Sequence, residues 1–176
     1  MSEEPGAGKS RAGTCAGGMG NRCPYCDSVK GVCMIGKCLC GGVEFEITGT
    51  VPRLYQCHCS QCRRQGGSAS NTATIIREDQ FLWKSGQNLV TRFKHKTGFN
   101  SHFCSVCGSP VPNKLGVDEL IWIPAGLFEG SENLDIVAHL HVGSKAHWEK
   151  ISNSGTQYEE MPSLDTLNQV LQRKGR

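Results

Sequence analysis

No stretch of this 176-residue chain approaches the roughly 18 consecutive apolar residues of a helical membrane span, so no membrane partner is expected. The opening residues, MSEEPGAGKSRAGT, contain no apolar run of the kind a secretory signal needs. Charge of one sign is also scarce. The formal net charge is +3, with Lys and Arg scattered along the chain. Arg173, Lys174 and Arg176 read as a solvated helix end, and Glu3 and Glu4 offset Lys9, Arg11 and Arg22. Nucleic acid is therefore not an expected partner. Several catalytic signatures are missing as well: a Ser-His-Asp set, a pair of carboxylates and a phosphate-binding glycine loop. The hydrophobic share, 38%, is low, but the 22 glycines bring it to about 50%, which is enough to bury a core.

Cysteine is what the chain has in excess, at eleven residues. With no secretory signal the expected compartment is the cytoplasm, where thiols stay reduced and clustered pairs read as metal ligands or redox centres. An odd count argues against a complete disulfide framework, and zinc is the leading explanation.

Residues 1–33 are rich in Gly, Ala and Ser without periodicity and read as a flexible extension carrying Cys15, Cys23, Cys26 and Cys33. A compact domain is expected over residues 34–162. Val43, Phe45 and Ile47 alternate with Glu44 and Glu46, as in a half-buried strand. YQCHCSQCRRQGGSAS reads as a ligand-bearing loop. Further strands are expected at Ala73–Ile76, Phe81–Trp83, Leu89–Phe93, Ser101–Phe103, Leu120–Ile123 and Ile136–Val142, most of them bounded by turn residues. Residues 163–176 read as an amphipathic helix and basic tail. Ser163 is the N-cap, and Leu164, Leu167, Val170 and Leu171 share one stripe. The fold class is mainly β with a short C-terminal helix.

From Cys38 onward there are seven cysteines in three groups: Cys38/Cys40, Cys57/Cys59/Cys62 and Cys104/Cys107. A structural tetrahedral zinc takes four ligands, usually as two pairs from distant segments. Cys38/Cys40 and Cys104/Cys107 supply them, the second pair as a C-x-x-C-G knuckle whose Gly108 lets backbone amides approach the sulfurs. Cys57, Cys59 and Cys62 then form a second zinc site with an open position, the pattern of catalytic zinc. The same trio can also be a closed site completed by His58 or by an N-terminal cysteine. His58 lies between two ligands, so a packing or hydrogen-bonding role is expected for it. Cys23-Pro-Tyr-Cys26 has a glutaredoxin-like spacing but no βαβ surroundings, leaving a third metal site with Cys15 and Cys33, or incidental thiols.

These elements, in order and spacing, resemble the glutathione-dependent formaldehyde-activating enzyme family, which also includes the centromere protein V proteins. The resemblance runs from Ile35 to Pro162. It rests on C-x-C-G-G-V-E-F-E-I, C-H-C-S-Q-C-R-R-Q-G-G-S, F-N-S-H-F-C-S-V-C-G-S-P, I-P-A-G-L-F, H-V-G-S-K-A-H-W-E-K-I and Y-E-E-M-P. It implies an Mss4-like fold of twisted β-sheets clamped by zinc. It also implies two zinc ions per chain: a structural one on Cys38, Cys40, Cys104 and Cys107, and a second on Cys57, Cys59 and Cys62.

The implied activity is carbon–sulfur lyase chemistry on a small thiol/aldehyde adduct such as S-hydroxymethylglutathione, with glutathione as co-substrate. Arg63 and Arg64 are then candidates to bind glutathione carboxylates, with Lys94, His95 and Lys96 as second candidates. His102, His139, His141 and His147 are candidates for acid/base work. The alternative is a non-catalytic zinc-binding interaction module of the centromere protein V type. The sequence leaves the true substrate and the oligomeric state open.

Overall fold

The alternating segment around Phe45 is a strand because one of its faces is apolar enough to be buried. In the computed structural model, which describes residues 33–116, 119–130, 134–151 and 154–172, this is β2 (Glu44–Thr48). It lies between two antiparallel neighbours, β1 (Cys33–Lys37) and β5 (Phe81–Ser85), in a three-stranded sheet. Phe45 packs against Phe81, Trp83 and Phe128 with ring centroids 5.6, 6.4 and 6.3 Å away. Its partner across the sheet is Gly36, and a Cβ built there would lie 2.2 Å from the Phe45 ring. Only glycine fits beneath that ring. Glu46, expected to face solvent, is covered, and its carboxylate lies 3.0 Å from Lys84 Nζ.

A six-stranded sheet forms the larger layer. Its strands are β3 (Leu54–Cys57), β4 (Asn71–Arg77), β8 (Asn113–Lys114), β9 (Leu120–Pro124), β10 (Ile136–Leu140) and β11 (Thr156–Gln157), in the order β11-β10-β3-β4-β9-β8. β10 runs parallel to β3 and β11, and the other pairs are antiparallel. β9 is apolar throughout, and β4 is buried at five of its seven residues, because both faces of the sheet are covered here. On one face Leu54, Ile76, Ile121 and Ile123 pack with Phe45 and Ile47 of the smaller sheet. On the other, Tyr55, Cys57, Ala73, Ile75, Leu120, Ala138 and Leu140 pack with Leu167 and Leu171.

Those two leucines belong to α2 (Leu164–Leu171), where Ser163 Oγ accepts from Thr166 N as the sequence pattern requires. The Arg53 guanidinium donates to the carbonyls of Val170 and Gln172, satisfying the last turn and meeting the negative end of the helix dipole. β6 (Val90–Lys94) and β7 (Asn100–Cys104) form a separate hairpin.

The expected ligand-bearing loop is in fact a strand and a helix. Tyr55 to Cys57 complete β3, and α1 (Ser60–Gly66) follows with Cys59 as its N-cap. None of its residues is buried, so the sequence carries no apolar stripe from which to read it. β10 ends at Leu140, two residues before the expected boundary, because His141 turns into a left-handed conformation at φ 57°. Cys33, expected in the extension, opens β1. Cys15, Cys23 and Cys26 lie outside the described residues, as do Arg173, Lys174 and Arg176.

Candidate metal centres and the adjoining cavity

The turn after β1 carries Cys38 and Cys40, and the end of β7 carries Cys104 and the nearby Cys107. All four sulfurs lie within 4.8 Å of one another. Cys38 Sγ and Cys40 Sγ are 3.5 Å apart, and Cys40 Sγ and Cys104 Sγ 3.8 Å. A zinc–sulfur bond of ~2.3 Å in a tetrahedron spaces its sulfurs by about 3.8 Å, so this donor set fits zinc. The backbone supports it. Val43 N donates to Cys38 Sγ at 3.2 Å, and Leu39 N donates to Ser109 Oγ at 3.1 Å, tying one turn to the other. Gly108 has φ 75°, the left-handed conformation that its knuckle requires. Beneath the cluster lies a small core of Cys38, Val43, Cys104 and Val111.

These thiols do not ionise together without a cation. The Ser109 hydroxyl and amide hold Cys107 down to about 5. Cys40 receives the Gly42 amide, which favours its thiolate, but the thiols of Cys38 and Cys107 outweigh this and push it up to about 12. A bound cation removes that conflict by letting every sulfur ionise.

Cys57, Cys59 and Cys62 form the second group, their sulfurs also within 4.8 Å of one another. Cys57 ends β3, Cys59 caps α1 by accepting from Cys62 N at 3.4 Å, and Cys62 sits in the first helical turn. The thiols of Cys57 and Cys62 donate to Cys59 and lower it to about 2. Cys57 is raised to about 11, chiefly by Cys59, and Cys62 is pushed upward by Cys57 and Cys59. One negative charge is thus accommodated among three sulfurs, and a metal ion again relieves the crowding. Both cysteine groups can therefore hold a metal ion, and both are compatible with zinc.

Behind the trio runs a buried polar chain. His58 has the packing and hydrogen-bonding surroundings expected of it and is fully buried. Its Nδ1 lies 2.8 Å from Glu149 Oε1, and its Nε2 3.1 Å from His139 Nδ1. His139 Nε2 is 3.0 Å from the Ser154 carbonyl. A carbonyl only accepts, so His139 carries its proton on Nε2 and accepts at Nδ1 from His58 Nε2–H, while a second proton lies between His58 Nδ1 and Glu149 Oε1. Burial lowers the pKa of His139, keeping it neutral.

In front of the trio is a cavity of ≈ 380 Å³ lined by all three cysteines. Its walls include the aromatic residues Tyr55, Phe99 and Trp122, the carboxamides Gln61, Gln65, Asn100 and Asn113, and Lys114 and His141. Gln61 and Gln65 fasten α1 to the β6–β7 hairpin through Thr97 Oγ1 (2.6 Å) and Ser101 Oγ (2.9 Å). None of the four cysteines of the first group lines this cavity.

The other candidates are dispersed. Arg63 and Arg64 lie in the last turn of α1 and are not among the cavity's lining residues. Arg63 Nη2 donates to the Ser144 carbonyl at 3.4 Å, and Arg64 is exposed. Lys94 and Lys96 are exposed, and His95 Nδ1 lies 2.9 Å from Thr97 Oγ1. His102 lines a different cavity, of ≈ 650 Å³, and His147 is exposed. Of the histidines, His141 alone lines the trio's cavity among the described residues. Sequence reasoning missed Tyr55, Trp122, Asn113 and Lys114. The Tyr55-x-Cys57 spacing, which puts both side chains on one face of a strand, was the available signal.

The family of glutathione-dependent formaldehyde-activating enzymes matches residues 33–144, more than half of the chain and both cysteine groups. A crystal structure of a Rhodobacter sphaeroides protein is similar at 26% identity, covering 55% of this chain and 89% of that one, with a TM-score of 0.46. No curated protein sequence matches the chain. No helix among the described residues is long and apolar enough to cross a membrane.

Proposed function

Because the chain belongs to the glutathione-dependent formaldehyde-activating enzyme family, we propose that it makes or breaks the carbon–sulfur bond of a thiol–aldehyde adduct such as S-hydroxymethylglutathione. The observation that carries this reading is the three-cysteine group opening onto a ≈ 380 Å³ cavity, which the four-cysteine group does not line. Cys38, Cys40, Cys104 and Cys107 are the proposed holders of a structural zinc. A second zinc, held by Cys57, Cys59 and Cys62, supplies positive charge for thiolates and a coordination position for an exchangeable ligand.

The protein's own groups do the rest. The aromatic walls exclude water, and the carboxamides offer donors and acceptors to a peptide-like thiol. Arg63 and Arg64 are proposed to meet the carboxylates of glutathione, with Lys114 as a further cation at the cavity wall. In the lyase direction the hydroxyl of R–S–CH2–OH loses its proton and the C=O double bond forms. The C–S pair leaves on sulfur, which takes up a proton to give thiol and formaldehyde. A cytoplasmic setting, where glutathione is abundant and thiols stay reduced, accords with this proposal.

The test is zinc stoichiometry with and without glutathione, in wild type and Cys59→Ser. Two zinc ions per chain, falling to one in a folded variant, together with a glutathione-dependent change at the labile site, are the expected results. One zinc, indifferent to the substitution and to glutathione, would overturn the enzymatic reading in favour of a binding module.

A further inference from the structure

The β6–β7 hairpin supplies Gly98, Phe99 and Asn100 to the wall of the trio's cavity, yet it pairs with neither of the other sheets. At its base Val90 lies opposite Cys104, which belongs to the four-cysteine group and its small core. There Ser105 N donates to the Leu89 carbonyl, Cys104 N to that of Ser109, and Val111 N to that of His102. Beyond the Arg92–His102 pair, no backbone bond among the described residues joins the hairpin to another element. No residue between Val90 and Cys104 is buried, and none belongs to a core cluster. The hydrogen bonds that fasten the outer half come from side chains of α1. Thr97 Oγ1 accepts from Gln61 Nε2 at 2.6 Å, and Ser101 Oγ accepts from Gln65 Nε2 at 2.9 Å. Gln65 is itself oriented, its Oε1 accepting from Asn71 Nδ2 at 2.8 Å. The turn is tied internally, His95 N to the Phe99 carbonyl and Gly98 N to the His95 carbonyl, so the outer half is stiff in itself. A segment anchored by backbone bonds at one end and by two side-chain hydrogen bonds at the other opens far more readily than the fold unfolds.

We propose that the outer half of this hairpin is a movable wall that sets the size of ligand able to reach the trio. It is hinged at the His102–Val111 bond and latched by Gln61 and Gln65. Latched, it presents Phe99 and Asn100 to the cavity and admits small ligands. Released, it makes room for bulkier ones. The hinge lies two residues from Cys104, so the four-cysteine group fixes the pivot of this wall as well as the fold. Access of this kind precedes any chemistry at the trio and holds whichever reaction the site supports.

The test combines Thr97→Val with Ser101→Ala, which removes both latch hydroxyls and leaves α1 and every cavity-lining residue intact. Zinc-supplemented protein is treated with iodoacetamide or with the bulkier pyrene maleimide, and modification of each cysteine is timed by peptide mass spectrometry. At Cys57, Cys59 and Cys62 the rate with pyrene maleimide, relative to iodoacetamide, is expected to rise roughly 10-fold in the double variant. At Cys38, Cys40, Cys104 and Cys107 the same ratio should not change. An unchanged ratio at the trio of a folded variant overturns the movable wall. So does an equal rise in both groups, which is general loosening. Should the pair of substitutions not fold, Thr97→Val alone, at an exposed position, is read in the same way with a rise of roughly 3-fold. Where neither reagent reaches the trio in either protein, fluorine NMR decides, with 4-fluorophenylalanine in place of phenylalanine. The variant should broaden or split the Phe99 resonance and leave Phe103, beside the hinge, sharp. A Phe99 resonance identical in variant and wild type overturns the proposal.

Discussion

The two cysteine groups present the same donor atom in opposite settings. The four-cysteine group joins two turns that are 64 residues apart between Cys40 and Cys104, and its sulfurs rest on a small apolar core. The three-cysteine group draws all its sulfurs from six consecutive residues, faces a cavity in front, and leans on a buried chain of His58, His139 and Glu149 behind. Ligands drawn from distant segments hold a fold together. Ligands drawn from one segment add little to the fold and are held by it. The distinction lies in sequence separation and in what stands behind the sulfurs, which coordination chemistry alone does not reveal.

The largest effect is therefore expected at Cys104, fully buried in the clamp. Cys104→Ser removes a ligand from a site whose metal can contribute roughly 10–16 kcal/mol, so cooperative thermal unfolding should be lost in circular dichroism. Cys59→Ser should retain a cooperative transition. Equal loss of folding in the two variants would erase the contrast.

Next in size is the polar chain behind the trio. Removing one partner of a buried pair costs about 3–5 kcal/mol. Glu149→Ala should therefore lower the denaturation midpoint strongly. The gentler Glu149→Gln should weaken metal retention at the trio by roughly 10–100-fold in a chelator competition, leaving the four-cysteine group unaffected.

A pH effect follows from His139. Its folded pKa is depressed by burial, so its neutral form contributes stability that is fully present above its unfolded value, near pH 6.5. That contribution is lost as pH falls through the lowered folded value. Acid titration followed by fluorescence should show the wild type losing stability below about pH 6.5. His139→Gln should flatten that dependence.

The smallest change is expected at Ser109, whose hydroxyl lies 3.3 Å from Cys107 Sγ and accepts from Leu39 N. Ser109→Ala should cost about 1 kcal/mol in chemical denaturation and leave the trio's metal unaffected.

How much of this was legible in the sequence depends on how local each feature is. β2 and α2 were readable because each buries one face, so period 2 and the i, i+3, i+4 stripe survive in the residue order. The grouping of cysteines into four and three was readable because metal ligands come in tight pairs. α1 was not, since it buries no residue and is capped by a cysteine where Ser, Thr, Asp or Asn is the usual signal. The chain through His58, Glu149 and His139 was invisible for a different reason. It exists because β10 lies parallel to β3 with Leu140 opposite Cys57, a pairing that nothing in either strand announces by itself.

That parallel pairing also bears on how the protein is made. Cys57, Cys59 and Cys62 leave the ribosome together, whereas His139 follows His58 by 81 residues. The trio can capture a metal ion on a chain that has no β10 to lay beside β3, and non-local pairing of this kind is slow to form. The three cysteines are thus all synthesised before the strand that carries their supporting histidine.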